Sequence, residues 1–262
     1  MSAPLSAQEL ATFREEMSRQ GFSVVEGILD PAEVTETRGA LEQAISSDPY
    51  REFAGGRDYG MVHALMTRGR PFERLLCNER LRSAVNAVLG ETCVVYAYTS
   101  SSMPPRATNY SRRIHVDCPR LIPGYPTNVG VTLMLDAFTA QNGATYVLPG
   151  SHAAASVPSE EEFEAGAARI FGPPGAALFF SGRLWHRGGV NETDAWRHSV
   201  TLNVCRSYMK QQMDWPRLVS PEVVARNPPG FRQFLGYDVR VPASLEEFYV
   251  PEAERLYKPN QG

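Results

Sequence analysis

The chain is poor in cysteine, and it lacks long apolar runs and stretches of one charge sign. Its four cysteines, Cys77, Cys93, Cys118 and Cys205, are scattered and form no C-x-x-C pair, so no disulfide framework is expected. The longest apolar runs, such as Ala176 to Phe180, are far too short to span a bilayer. Lysine and arginine number 26 against 29 aspartates and glutamates, for a net charge of −3. With no basic run or stripe, neither a nucleic acid nor a membrane surface is expected as a partner. The start, Met1-Ser-Ala-Pro-Leu-Ser-Ala-Gln-Glu, lacks the basic-then-apolar pattern of an export signal, and cytoplasmic residence is expected. No G-x-S-x-G occurs, which removes the nucleophile elbow of a serine hydrolase.

What is present is a 43% hydrophobic composition, enough for a sizeable core, read as one domain over residues 1–262. Residues 6–89 have helical texture. Ser6 with Glu9 forms a capping-box pattern ahead of Leu10, Phe13 and Met17, and Gly21 closes that segment. Phe22-Ser-Val-Val-Glu has the character of a strand. Asp30-Pro31 opens a second helix to about residue 46, a Gly- and Arg-rich loop covers Asp48 to Arg70, and a third helix runs from Asn78 to Leu89. From Cys93 to about residue 207 the texture changes to short strands separated by turns, at 93–99, 112–117, 129–136, 144–148, 176–181, 186–190 and 197–207. That spacing suits a sandwich or jelly roll, mainly β with flanking helices. The tail, 208–262, is rich in proline and expected to be irregular with short helices. Its aromatics, including Trp215 and Phe231, close over the subunit's own core or over a neighbour, leaving monomer and homodimer both open.

The pattern that carries chemistry is Ile114-His115-Val116-Asp117 followed much later by Trp185-His186. In extended chain, side chains at i and i+2 share a face, so His115 and Asp117 converge. H-x-D is common by chance, and His186 alone adds little. Together they make a two-histidine, one-carboxylate set, which leaves adjacent positions open on an octahedral iron. Arg197 follows His186 by eleven positions on the next expected strand, and a planar guanidinium suits bidentate capture of a carboxylate. A co-substrate that chelates iron at one end and carries a carboxylate at the other would use it.

Four motifs in order, His115-x-Asp117, Gln141-Asn-Gly-Ala-Thr-Tyr-Val-Leu-Pro-Gly-Ser-His152, Trp185-His186-x-x-Gly189-x-Asn191-x-Thr193 and Arg197-x-Ser199, resemble the phytanoyl-CoA dioxygenase family of Fe(II)/2-oxoglutarate oxygenases. The resemblance implies a double-stranded β-helix with Fe(II) held by His115, Asp117 and His186. It implies 2-oxoglutarate bound through Arg197, assisted by Ser199 and Thr145. It further implies O₂ as the oxidant, release of succinate and CO₂, and as product an oxidised small molecule of secondary metabolism, most simply a hydroxylated one. Related halogenases replace the carboxylate ligand by a small residue; Asp117 is retained here, which points away from halogen transfer. Relatives often carry glutamine three positions before the first ligand. This chain has Arg112 there, placed to touch 2-oxoglutarate or an acidic substrate.

Substrate contacts are expected from Tyr98, Tyr110, Arg113, Arg120 and Tyr125, which offer aromatic walls and positive charge; as surface residues the arginines would simply be solvated. His152 is read as bonding a turn, and His198, one residue past Arg197, as facing away from the metal. Two other readings fit the same ligands: a zinc hydrolase, which would not need Arg197, and a non-catalytic jelly roll that only binds.

Overall fold

The computed structural model describes residues 3–50 and 59–261. Its helices start where the capping chemistry places them. Ser6 and Glu9 exchange side-chain-to-backbone hydrogen bonds and open α1 (Ala7–Arg19), which buries Phe13 and Met17. Gly21 follows at φ 85°, a conformation that favours glycine. Asp30 and Glu33 cap α2 (Pro31–Ser46) in the same reciprocal way, with Pro31 in its first turn. Helix α3 (Arg70–Leu76) stands where the sequence suggested the end of a loop; Pro71 in its first turn is the signal that was available. Residues 51–58 of that expected loop lie outside the described residues. Asn78 caps α4 (Glu79–Leu89).

The strands in chain order are β1 (Phe22–Val25), β2 (Val94–Ser100), β3 (Asn128–Met134), β4 (Tyr146–Val147), β5 (Ala168–Arg169), β6 (Ala177–Ser181), β7 (His186–Arg187) and β8 (Ser199–Cys205). They form two antiparallel sheets, ordered β1-β6-β3-β8-β2 and β5-β4-β7. Alternation along the larger sheet separates two faces. Val129, Val131, Leu133, Ala177, Phe179, Val200, Leu202 and Val204 face the helices and join Phe13, Leu41, Phe72 and Leu76 in the main core. The opposite face carries Gly130, Met134, Leu178, Phe180 and Asn203. Its apolar members pack with Phe138, Ala144, Val147 and Ile170 from the direction of the smaller sheet. Two facing sheets with a filled interior make the double-stranded β-helix, and each large side chain removed from water contributes about 1.5–3 kcal/mol.

Several expected elements change. The strand over 112–117 does not form. Asn109 accepts a hydrogen bond from Ser111 N, 3.0 Å away, and turns the chain into a short 3₁₀ segment, Tyr110–Arg112. Within that stretch His115 alone pairs, with His186. The strands expected at 144–148 and 186–190 shrink to two residues each. Helix α5 (Glu160–Gly166) was not anticipated, although Ser159 with Glu162 is a full capping box. The tail forms short helices, as expected, and docks on its own chain. Trp215 Nε1 donates to Val95 O at 2.9 Å, and Arg226 and Asn227 bond the buried Glu73 carboxylate of α3.

Gly130 faces the interior of the roll directly beneath Phe180. A Cβ added there would lie 2.2 Å from the ring, which itself packs 4.7 Å from the His186 imidazole. Gly130→Ala is therefore expected to lower stability by about 1–3 kcal/mol in urea unfolding, because the ring has nowhere to move without disturbing His186.

Candidate metal centre

His115 and His186 are tied together through the backbone. His115 N donates to His186 O and His186 N donates to His115 O, both at 3.0 Å, so residues far apart in sequence form one antiparallel pair. Their rings come to a centroid separation of 4.3 Å. Asp117, two residues past His115, turns its Oδ1 to both imidazoles, 3.7 Å from His115 Nε2 and 3.8 Å from His186 Nε2. One ligand atom from each residue lies within 4.8 Å of the other two, and these are the spacings a single ion would bridge.

The tautomers fit a metal as well. His115 Nδ1 contacts Arg113 O at 2.8 Å, and His186 Nδ1 contacts Leu184 O at 2.9 Å. A carbonyl only accepts, so both Nδ1 atoms carry the proton and both Nε2 atoms present lone pairs toward Asp117. Burial, reinforced by the neighbouring His186, lowers the His115 pKa and keeps that ring neutral. The residues present thus match the donor set of a 2-His-1-carboxylate iron site.

Asp117 Oδ2, turned from the imidazoles, accepts a hydrogen bond from Asn203 Nδ2 at 3.0 Å. Asn203 Oδ1 in turn accepts from Asn128 Nδ2 at 3.0 Å, which fixes the orientation of the Asn203 amide. The sequence reading passed over these asparagines. The pairing of β3 with β8 places both on the interior face, which no local spacing reveals. Asn203→Ala is expected to weaken metal affinity about 10–100-fold, measured by anaerobic Fe(II) titration, with the fold preserved.

Arg197 lies deeper, 2% exposed. Its guanidinium donates to Ser199 Oγ at 2.8 Å and to the carbonyls of Ser101, Asn142 and Gly143, and it stacks 4.2 Å from the centre of the Phe138 ring. Burial pushes its pKa down to about 9, so it remains charged at neutral pH. No carboxylate among the described residues forms an ion pair with it. Ser199 is fully buried, and its hydroxyl donates a hydrogen bond to Ser101 O at 2.7 Å. Thr145 precedes β4 and, by alternation, shares the interior-facing side of Val147.

The phytanoyl-CoA dioxygenase family model matches residues 17–199 of the chain. An uncharacterized protein of Mycobacterium tuberculosis, Rv1501, is 31% identical over 251 residues, 92% of both chains. The chain belongs to the phytanoyl-CoA dioxygenase family. Dioxygenase FrzG of Cladobotryum sp. is a more distant relative, 27% identical over 84% of this chain and 82% of its own. Among solved structures, EctD from S. alaskensis with 2-oxoglutarate and 5-hydroxyectoine superposes with a TM-score of 0.65 at 22% identity, covering 78% of this chain and 77% of that one. The epimerase SnoN in complex with Fe3+, alpha ketoglutarate and nogalamycin RO gives 0.63 at 19% identity, covering 76% and 84%. These likenesses carry the fold.

Within this dioxygenase-family chain the remaining candidates separate. Tyr98 does not face the metal and needs correction as a substrate residue. It pairs with Leu202 on the helix-facing side of the sheet, is 1% exposed, and donates its hydroxyl to Phe72 O at 3.0 Å. The parity of β2 places it in the main core. Arg112 is exposed at the end of the 3₁₀ turn, and its side chain has no hydrogen bond or ion pair among the described residues. Arg113 is exposed, and its carbonyl positions His115. Tyr110 is exposed on the same turn. Arg120 and Tyr125 lie on the loop 119–127, beside a cavity that none of the three metal ligands lines. His152 Nε2 bonds Ser18 O at 3.3 Å, while His198 stacks on Trp196 and bonds Ser102 Oγ at 3.0 Å, each away from the metal as anticipated.

Proposed function

We propose that the protein is an Fe(II)/2-oxoglutarate-dependent dioxygenase that oxidises a C–H bond of a small-molecule metabolite, most simply by hydroxylation, in secondary metabolism. The observation that carries the reading is Arg197. A buried cation held, among the described residues, by carbonyls and a hydroxyl is costly without an anion, and the Phe138 ring it stacks on belongs to the same buried cluster as Phe180, which packs on His186 of the 2-His-1-carboxylate set. A zinc hydrolase would have no use for it, and a passive binding protein would have no use for intact ligands. His115, Asp117 and His186 would hold the iron, and Arg197 with Ser199 would take the distal carboxylate of 2-oxoglutarate. With O₂, the iron and 2-oxoglutarate supply oxidising power for a C–H bond, releasing succinate and CO₂.

The chain's own residues do the positioning. The His115 and His186 Nε2 atoms are kept unprotonated by their Nδ1 bonds, and Asn203 keeps Asp117 turned so that Oδ1 is the free donor. Phe138 covers the Arg197 guanidinium, and Phe180 packs on His186; both keep water from these groups. A small-molecule substrate is supported by the molecules that EctD and SnoN hold. The test is anaerobic addition of Fe(II) and 2-oxoglutarate, which is expected to give a weak visible charge-transfer band. O₂ should then produce slow succinate release without substrate. No band and no 2-oxoglutarate affinity would leave a binding protein, and turnover that persists without O₂ would leave a hydrolase.

A further inference from the structure

A cavity of about 510 Å³ lies apart from the metal ligands, between α1, the end of α4, the loop 119–127, the turn at 152–153 and residues 181–183. Its size falls within the roughly 300–1,000 Å³ of small-molecule sites. Backbone bonds divide it from the triad: Cys118 N donates to Gly182 O at 2.8 Å, and Gly182 N donates to Asn128 O at 2.9 Å. The loop is anchored at its far end too, where Arg206 N bonds Thr127 O at 3.1 Å and Arg206 Nε bonds Pro126 O at 2.9 Å. Both ends of the loop that forms one wall are thus tied to the sheet.

The lining has a one-sided charge. Arg14, Arg120 and Arg183 contribute to it, and no aspartate or glutamate does. None of these arginines forms an ion pair among the described residues. Arg183 donates instead to the neutral carbonyls of Pro119, at 2.6 Å, and Ala154. This concentration of uncompensated positive charge occurs in a chain of net charge −3. The rest of the wall is apolar, with Met17, Val88, Leu121, Ile122 and Tyr125, of which Ile122 and Tyr125 are partly exposed on the loop. Asn128 also contributes. It is 4% exposed, and its Oδ1 has no donor among the described residues, while its Nδ2 is committed to Asn203.

We infer that this cavity is a second binding site, for an amphipathic small molecule bearing a carboxylate or phosphate. The anion is held by Arg14, Arg120 and Arg183. The apolar part lies along Leu121 to Tyr125 and Met17. The site stands independently of which metal the triad binds. It also bears on that triad, because Asn128 is joined through Asn203 to Asp117.

Calorimetric titration of the full chain with decanoate, decyl phosphate and decan-1-ol tests it, each with and without saturating 2-oxoglutarate. At least one of the two anions is expected to bind one-to-one, about tenfold or more tighter than the alcohol, whether or not 2-oxoglutarate is present, and the tighter anion identifies the preferred headgroup. The Arg14→Gln/Arg120→Gln double variant removes exposed side chains that have no hydrogen-bond or ion-pair partner among the described residues, so it should keep the wild-type melting temperature. It should weaken the anion by about tenfold, the loss of a charge-assisted hydrogen bond. Arg197→Gln should leave that affinity unchanged. Equal binding of alcohol and anions, an unaffected double variant, or loss of anion binding in Arg197→Gln instead, would overturn the assignment.

Discussion

Asp117→Ala is expected to abolish Fe(II)-dependent succinate release, by more than about 100-fold, since losing a ligand should exceed the 10–100-fold typical of losing an outer partner. Asp117 is exposed, and among the described residues its side chain accepts one hydrogen bond, from Asn203, so the substitution removes a metal ligand without opening the core. The folded state should survive, with a near-ultraviolet circular dichroism spectrum matching wild type. Loss of activity with an intact spectrum assigns the defect to the site. Retention of wild-type succinate production would sink the assignment of all three ligands, because the two histidines are argued to be ligands from their approach to this same Oδ1.

The second large effect concerns Arg197. Arg197→Gln should raise the dissociation constant of 2-oxoglutarate by about 30-fold or more, the equivalent of at least about 2 kcal/mol for removing one member of a buried charge pair. The readout that separates recognition from mere packing is the melting-temperature increment on adding 2-oxoglutarate. Ligand binding to the folded state raises wild-type stability in proportion to the logarithm of ligand excess. The variant should show little increment at the same concentration. A purely structural arginine would instead lower the baseline stability and leave the increment intact.

The parts of this molecule that could be read from the sequence were those in which a local rule matches the final structure. Ser6, Asp30 and Asn78 mark helix starts because capping is settled within a few residues. His115 and Asp117 converge as their i, i+2 spacing suggests, although within that stretch only His115 is paired. Tyr98 was misplaced because its face depends on parity within β2 and on pairing with Leu202, neither of which a local pattern fixes. The 112–117 strand is cut short at its start, where Asn109 accepts from Ser111 N and turns the chain through Tyr110–Arg112. The Asn128–Asn203–Asp117 chain needs three separate segments to meet, and no spacing in the sequence announces it.

The mutual backbone bonds of His115 and His186 also bear on how tightly the site can hold an ion. Bringing two such distant positions together costs loop-closure entropy, which grows only slowly with the separation. Here the cost is met when the sheets assemble, before any metal arrives. An ion entering the triad therefore has little chain left to order, and its binding energy goes into affinity rather than into folding. Stripping the metal from loaded protein with a chelator should accordingly leave it folded, unlike small domains whose metal is their nucleus.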